Sequence, residues 1–354
     1  MFKRKSFINI VLPIAVLLGS CGANFQSVEN FSKSKEIVQR ASNDFAEDIY
    51  QSCLRRTRYV KLVINDGISQ RNNQREGCEI TERVDSDNFK TVVSILIDYM
   101  DALGAIASGK NLSLDNSIDN LGESIKDLSI SGKRLDADAV DGGREILKVL
   151  FDLVTQKNRE DALQKAIVCT NEPIHKYVTG NSVPATDKNG VDLYQPATGG
   201  LIFIVKNNYL SKGGTLGIEA NAIDTYYESY FATLYKLGND REINPSNYQQ
   251  AIDRITVGES LTTDYNKSME IVAEKEQAAR AYNQILFSTV KTHNQLSKEF
   301  AEGLKSKDVN RLCQFNAKVS FKKIDEKKMK RIQKILNEYV ISVKPLVEEV
   351  DRAF

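Results

Sequence analysis

Apolar and polar positions along the chain alternate mostly with helical period. Val38, Ala41, Phe45, Ile49 and Cys53 recur three and four apart, so a helix starting near Phe31 has one apolar face. A more apolar stripe, Val92, Val93, Ile95, Leu96, Ile97, Tyr99, Met100 and Leu103, predicts a central helix from Ser86 or Asp87 as N-cap to Gly109. The polar stretch 65–87, with Gly67 and Gly77, reads as the connection between them. Shorter helices are expected at 114–129, 136–156 and 158–171. Asp138 and Asp141 lie near the start of the second, where the helix dipole favours them.

Residues 179–217 break this pattern with Gly180, Pro184, Gly190, Pro196, Gly199, Gly200, Gly213, Gly214 and Gly217. Asp187-Lys188-Asn189-Gly190 is turn chemistry, and Leu201 to Val205 has the composition of a strand, so a small β-hairpin or long loop is expected. Helix then resumes. Residues 216–237 carry Tyr226, Tyr227, Tyr230, Phe231 and Tyr235 and should end at Gly238. A helix begins at Asn244-Pro245 and stops at Gly258, and a long one covers 261–304. In the last, Met329, Ile332, Leu336, Tyr339, Val343, Leu346, Val350 and Ala353 form a heptad seam, with Pro345 expected to kink it. The favoured partner of that seam is helix 261–304 of the same chain; the alternative is the same helix of a second molecule. The fold class is mainly α: an elongated bundle of long antiparallel helices with a small loop or hairpin insertion. The six prolines, 20 glycines and absence of tryptophan agree with long helices.

The first two dozen residues have a different pattern. Lys3, Arg4 and Lys5 precede an apolar run from Phe7 to Leu18, too short to span a bilayer but suited to a signal peptide. Leu18-Gly19-Ser20-Cys21 resembles the lipobox of bacterial lipoproteins, with leucine three before the cysteine and small residues between. The resemblance implies cleavage before Cys21, diacylglycerol on its sulfur and a fatty acyl group such as palmitate on the new amino terminus. Acyl chains together make a lasting anchor where one binds marginally. Gly22 in place of Asp resembles the outer-membrane sorting pattern. The chain then divides into a signal peptide (1–20), a lipid-anchored tether (21–30), helical parts (31–178 and 218–354) and the interruption (179–217).

Losing Lys3, Arg4 and Lys5 from the 48 Lys and Arg leaves 45 basic against 47 acidic residues, so no nucleic-acid partner is indicated. Four cysteines remain after Cys21: Cys53, Cys78, Cys169 and Cys313. In an oxidising compartment they read as two disulfides. Cys53–Cys78 with Cys169–Cys313 is the favoured one of three connectivities, and four buried free thiols are the bland alternative.

Candidate chemistry is sparse. His293 falls on an apolar stripe with Leu286, Val290, Leu296 and Phe300 and reads as a core residue. His175 follows Cys169 by six residues without any nucleophile signature. Cys169, His175, His293 and Cys313 lack the short spacings of a structural zinc site. Asp136-Ala137-Asp138-Ala139-Val140-Asp141-Gly142 and Asp187 to Asp192 miss the ligand positions of a calcium loop. No catalytic, cofactor or metal residue is assigned. Two basic runs, Arg55, Arg56, Arg58 and Lys61, and Lys322, Lys323, Lys327, Lys328, Lys330 and Arg331, read as solvated faces or as contacts for anionic headgroups.

The function expected is that of a non-enzymatic, lipid-anchored cell-envelope protein, on the periplasmic or surface face of the outer membrane. It would be a scaffold, adaptor or surface-interaction module presenting long helices to a protein partner, its oligomeric state left open. The alternative is membrane activity, because Gly199-Gly200-Leu201 to Val205 is similar to the apolar tongue of α-helical pore-forming toxins.

Overall fold

The computed structural model describes residues 25–60, 67–110, 125, 128–130, 132–154, 158–180, 184–186, 192–194, 199–239, 248–314 and 324–354. These residues are mainly helical. The leader, Cys21, Lys61, Lys322, Lys323, Asn244-Pro245 and Asp187 to Gly190 lie outside them.

Helix α1 (Gln26–Lys33) leads directly into α2 (Lys35–Arg56). The expected tether therefore ends early, because Phe25, Val28 and Phe31 share one face and are buried. Only two turns carry that period, too few to stand out from a polar surrounding. A 3₁₀ turn, Thr57–Tyr59, closes α2.

Helices α3 (Gly67–Ile80) and α4 (Glu82–Ser108) replace the expected connection over 65–87. The polar residues of α3 are polar because the helix lies on the surface: of its side chains from Ile68 to Ile80 only Cys78 is buried. The Cys53–Cys78 disulfide, with Cα atoms 5.8 Å apart, fastens it to α2. Ser86 and Asp87 are consequently interior to α4 and cap nothing. Gly109 ends α4 at φ +73°, a left-handed conformation that favours glycine. The stretch Ile68–Ser108 is long and apolar enough in part to cross a membrane, yet 61% of that apolar window is buried inside the fold. It supplies the core.

Strands β1 (Ser129–Ile130) and β2 (Lys133–Arg134) form a two-residue antiparallel ladder where the end of a helix at 114–129 was expected; the rest of that range is described only at Ile125 and Leu128. Helix α5 (Ala137–Val154) follows. The single helix expected at 158–171 is two, α6 (Arg159–Cys169), capped by Asn158, and α7 (Asn171–Thr179). Strand β3 (Pro184–Thr186) pairs antiparallel with β4 (Asp192–Tyr194). The strand expected at Leu201 to Val205 is instead helix α8 (Leu201–Ile204), running on into a π-helical segment, Val205–Leu210. Leu201, Ile202, Ile204 and Val205 are all buried. A short apolar run fits a strand or a buried helix equally well, and tertiary burial decides here.

Helix α9 (Thr215–Asn239) passes through Gly238, and α10 (Tyr248–Ala301) passes through Gly258, so neither glycine stops its helix. A Cβ at Gly258 would meet nothing within 4 Å; the residue sits on an exposed face and costs the helix only about 1 kcal/mol. Helices α11 (Ser306–Leu312) and α12 (Glu326–Ala353) complete the chain, α12 continuing through Pro345.

The seam of α12 is intrachain. Ile332, Leu336, Tyr339, Val343, Val347 and Val350 are buried, with Val347 taking the deeper position expected of Leu346. Tyr339 OH lies 2.9 Å from Thr289 Oγ1, and Arg331 Nε donates to Glu299 at 2.7 Å with Glu302 alongside. At the other end Lys275 sits over the Phe354 ring at 4.4 Å, so α12 runs antiparallel to 275–302. One apolar cluster contains residues from Phe25 to Val350. The two helical parts read from the sequence thus share one core, tied by the Cys169–Cys313 disulfide with Cα atoms 5.3 Å apart.

Helix α10 is the longest of the described helices. Its 54 residues extend about 80 Å at 1.5 Å each. The half 272–301 lies in the core beside α4, with Tyr282 near Phe89 and His293 near Tyr99. Among the described residues the half before it packs along α9, and much of its surface is exposed. Phe25 stacks against Arg159, beside the C-cap Gly109 of α4, at the Ala301 end of α10. Phe25, the first described residue, therefore lies at the end of α10 opposite the arm that this half forms with α9.

Leu336→Asp should destabilise the fold by roughly 3 kcal/mol or more, by burying a carboxylate in the seam. Urea unfolding checks this, and light scattering of the protein from Gly22 onward should give a monomer, since the seam is filled from within the chain.

Candidate functional site

The arm is rooted in a buried ionic cluster. Asp48, Ser52 and Arg55 follow each other at spacings of four and three on α2, hence on one helical face. The Arg55 guanidinium holds two carboxylates. Its Nη1 and Nη2 donate to Asp48 at 2.7 and 3.1 Å, and its Nε and Nη2 donate to Glu219 of α9 at 2.7 and 2.9 Å. Lys275 of α10 lies 3.1 Å from Asp48, Ser52 donates to Glu219 at 2.6 Å, and Tyr209 of the π-helical segment donates to Asp48. Four elements thus meet through two cations and two anions. Burial alone would raise the Asp48 carboxyl. The hydrogen bond and charge of Arg55, then Lys275 and Tyr209, outweigh it and hold Asp48 below the usual carboxylate range. Burial likewise works against the Arg55 charge, and Glu219 and Asp48 reverse it, keeping the guanidinium protonated. Burial first, then Asp48, raises the Tyr209 phenol, which therefore stays a donor. Two cations face two anions, so the cluster fastens α2, α9 and α10 together.

Beyond the cluster, α9 and α10 run antiparallel. Tyr265 donates to Asp224 at 2.9 Å, and Tyr59, Tyr226, Tyr227, Tyr230 and Tyr265 pack edge-on or tilted with centroids 4.9 to 6.3 Å apart. Burial, then Tyr230, pushes the Tyr226 phenol up to about 12. Further out the apolar side chains lose their cover: Tyr235 is 70% and Ile255 62% exposed, with Tyr230, Ile252 and Val257 exposed nearby. Over 224–239 and 248–270, Asp224, Glu228, Asp253, Glu259, Asp264 and Glu270 outnumber Lys236, Arg254 and Lys267. The arm is an acidic pair of helices with an apolar outer end.

The residues singled out from the sequence fall elsewhere. His293 is a core residue. Tyr99 OH lies 2.6 Å from its Nε2, and its Nδ1 lies 3.3 Å from Asn171 Oδ1. Burial drives it from 6.5 to about 3, so it is neutral. His175 meets Thr179 at 3.3 Å, and Cys169 is bonded to Cys313, which removes any Cys–His pair. Asp136 accepts from Ala139 N at 2.7 Å, an N-cap of α5 in place of a calcium ligand. Arg56 pairs with Glu82, Arg331 with Glu299 and Glu302, and Lys330 with Glu326, so much of both basic runs is spent on this chain's own carboxylates. The segment similar to a toxin tongue is folded into the core. No protein-family model, curated protein or solved structure matches the chain.

Sequence reading missed the ionic cluster. Its signal was available: Asp48 and Ser52 stand three and seven residues after Phe45, on the apolar face of α2. Their partners on α9 and α10 carry no sequence mark.

Arg55→Met should cost roughly 3–5 kcal/mol in chemical denaturation, because two buried carboxylates lose their shared cation. A second expectation concerns acid. The unfolded chain protonates His293 below pH 6.5 while the fold refuses the proton until about 3. Stability is unaffected above 6.5 and falls as pH drops through that window, by up to about 1.4 kcal/mol per pH unit. His293→Gln should flatten the slope between pH 6 and 4 relative to the unaltered protein.

Proposed function

We propose that the protein is a lipid-anchored component of a bacterial cell envelope. In this reading it is an elongated helical bundle that holds the α9–α10 arm out toward a protein partner, as a scaffold or adaptor. One observation carries the reading: Phe25, the first described residue, lies at the end of α10 remote from the arm. With Cys21 acylated, as the likeness of Leu18-Gly19-Ser20-Cys21 to a lipobox implies, the four residues from Gly22 to Phe25 reach about 14 Å. The body then rests near the lipid, and the outer end of the arm stands tens of ångströms off it. Two disulfides suit an oxidising compartment. The exposed Tyr230, Tyr235, Ile252 and Ile255 supply the aromatic and aliphatic anchors that protein interfaces use.

The test is fractionation of the full chain in a bacterial host, with a photoreactive residue at Ile255 or, as control, at Lys344 on the exposed face of α12. Expected are detergent partition lost on Cys21→Ala and protein crosslinks from position 255 well above those from 344. Undiminished membrane binding of Cys21→Ala overturns the anchor. Equal crosslinking from both positions overturns the arm as the docking element.

A further inference from the structure

The two disulfides meet solvent differently. Cys53 is 3% and Cys78 1% exposed, so a reductant reaches neither sulfur without opening α2 from α3. Cys169 is 8% exposed, but Cys313, just past the end of α11, is exposed. Helix α11 is itself weakly held: Leu312 is its one buried residue. Next to Cys313, Gln314 lies over α6, its carbonyl accepting from Lys165 Nζ at 3.2 Å. Further on, Ile324 N donates to Glu160 Oε1 at 2.5 Å. Beside Gln314 lies a buried ion pair, Lys165 with Asp152, whose side chains are 3% and 4% exposed. Lys165 and Cys169 are four apart on α6, so the disulfide and the lysine contact hold Cys313 and Gln314 at adjoining points of one helical face.

We propose that Cys169–Cys313 is a redox latch. A dithiol reductant opens it while Cys53–Cys78 stays oxidised, releasing Ser306–Gln314 from α6 and admitting water to Lys165 and Asp152. The reductant's thiolate attacks the sulfur of Cys313, the more exposed residue of the pair, the S–S bond breaks, and Cys169 leaves as a thiolate that takes a proton from water. The second thiol of the reductant then attacks the mixed disulfide and frees Cys313. Two electrons pass from the dithiol, which becomes a disulfide, to the protein. The ion pair does not oppose release, because hydrating two charges restores the solvation that burial removed. The bridge closes a separation of 144 residues, so the chain also regains conformational freedom when it opens.

The experiment titrates the full-length oxidised protein with dithiothreitol, trapping thiols by alkylation and mapping peptides. Cys169 and Cys313 should be trapped at least about ten-fold faster than Cys53 and Cys78, as access governs exchange. At that stage Lys165 should gain reactivity toward an amine-acylating reagent, and amide exchange should rise over 306–314 while α4 and the core half of α10 stay protected. A Cys169→Ser/Cys313→Ser variant should show the same Lys165 reactivity without reductant. Simultaneous or reversed reduction of the two bridges overturns the proposal. So does a Lys165 that stays unreactive in both the reduced protein and the variant. Loss of protection throughout α4 and α10 in both overturns it too, since the bridge is then a global staple.

Discussion

A single guanidinium, that of Arg55, binds carboxylates from two helices inside the fold, and the register of α9 against α2 depends on it. Taking four charged groups out of water is costly, and their mutual attraction repays this only when the geometry is close to ideal. Arg55 meets that condition by presenting its planar fork to Asp48 on one edge and to Glu219 on the other. Few rotations of α9 against α2 would bring both Glu219 oxygens onto Nε and Nη2. The cluster therefore fixes register more than it adds stability. Lys275 and Tyr209 extend the same condition to α10 and to the π-helical segment, so four elements must arrive together for the whole cluster to be satisfied.

Stability comes from the other half of α10. Ala279, Tyr282, Ile285, Leu286, Val290 and Leu296 are buried there, between α4 on one side and α12 on another. Three of its polar side chains are paired across helices: Thr289 with Tyr339, Tyr282 with Ser42, His293 with Tyr99. One continuous helix thus has two different environments, apolar and covered after Val272, polar and largely exposed before it. Because the helix does not break at Gly258, the ordered core and the arm form one rod, and the position of the arm follows from the packing of the core.

The sequence was most legible where one helix buries one continuous stripe. The α12 seam is such a case: residues three and four apart predicted its face, and the chain's own α10 fills it. Both cysteine pairs match the favoured connectivity. Legibility failed where burial and local pattern diverge. Helix α3 keeps only Cys78 inside, so it looked like a connection; α8 buries three of its four apolar residues, so its apolar run looked like a strand. Gly238 and Gly258 looked like stops because glycine lowers helix propensity, but neighbouring residues carried both helices through. The ionic cluster was half legible, on α2 alone, because partners from distant helices meet only once the fold exists.

The charge and the apolarity of the arm bear on its surroundings together. A lone exposed apolar side chain needs no explanation, but Tyr235, Ile252, Ile255 and Val257 are exposed on the outer part of one helix pair. Around them acidic residues outnumber basic ones two to one. Such a surface is repelled by anionic headgroups, so hydrophobic attraction to a membrane would act against its electrostatics. A protein surface has no such conflict: an apolar patch with a basic rim matches both properties, the rim speeding encounter and the patch slowing release. An acidic arm directed away from the end where Phe25 lies is thus consistent in sign with an anchor at that end. In the proposed lipid-anchored state, the few residues between Cys21 and Phe25 would keep the body near the lipid, and the arm's charge would favour its remaining outside the headgroup layer.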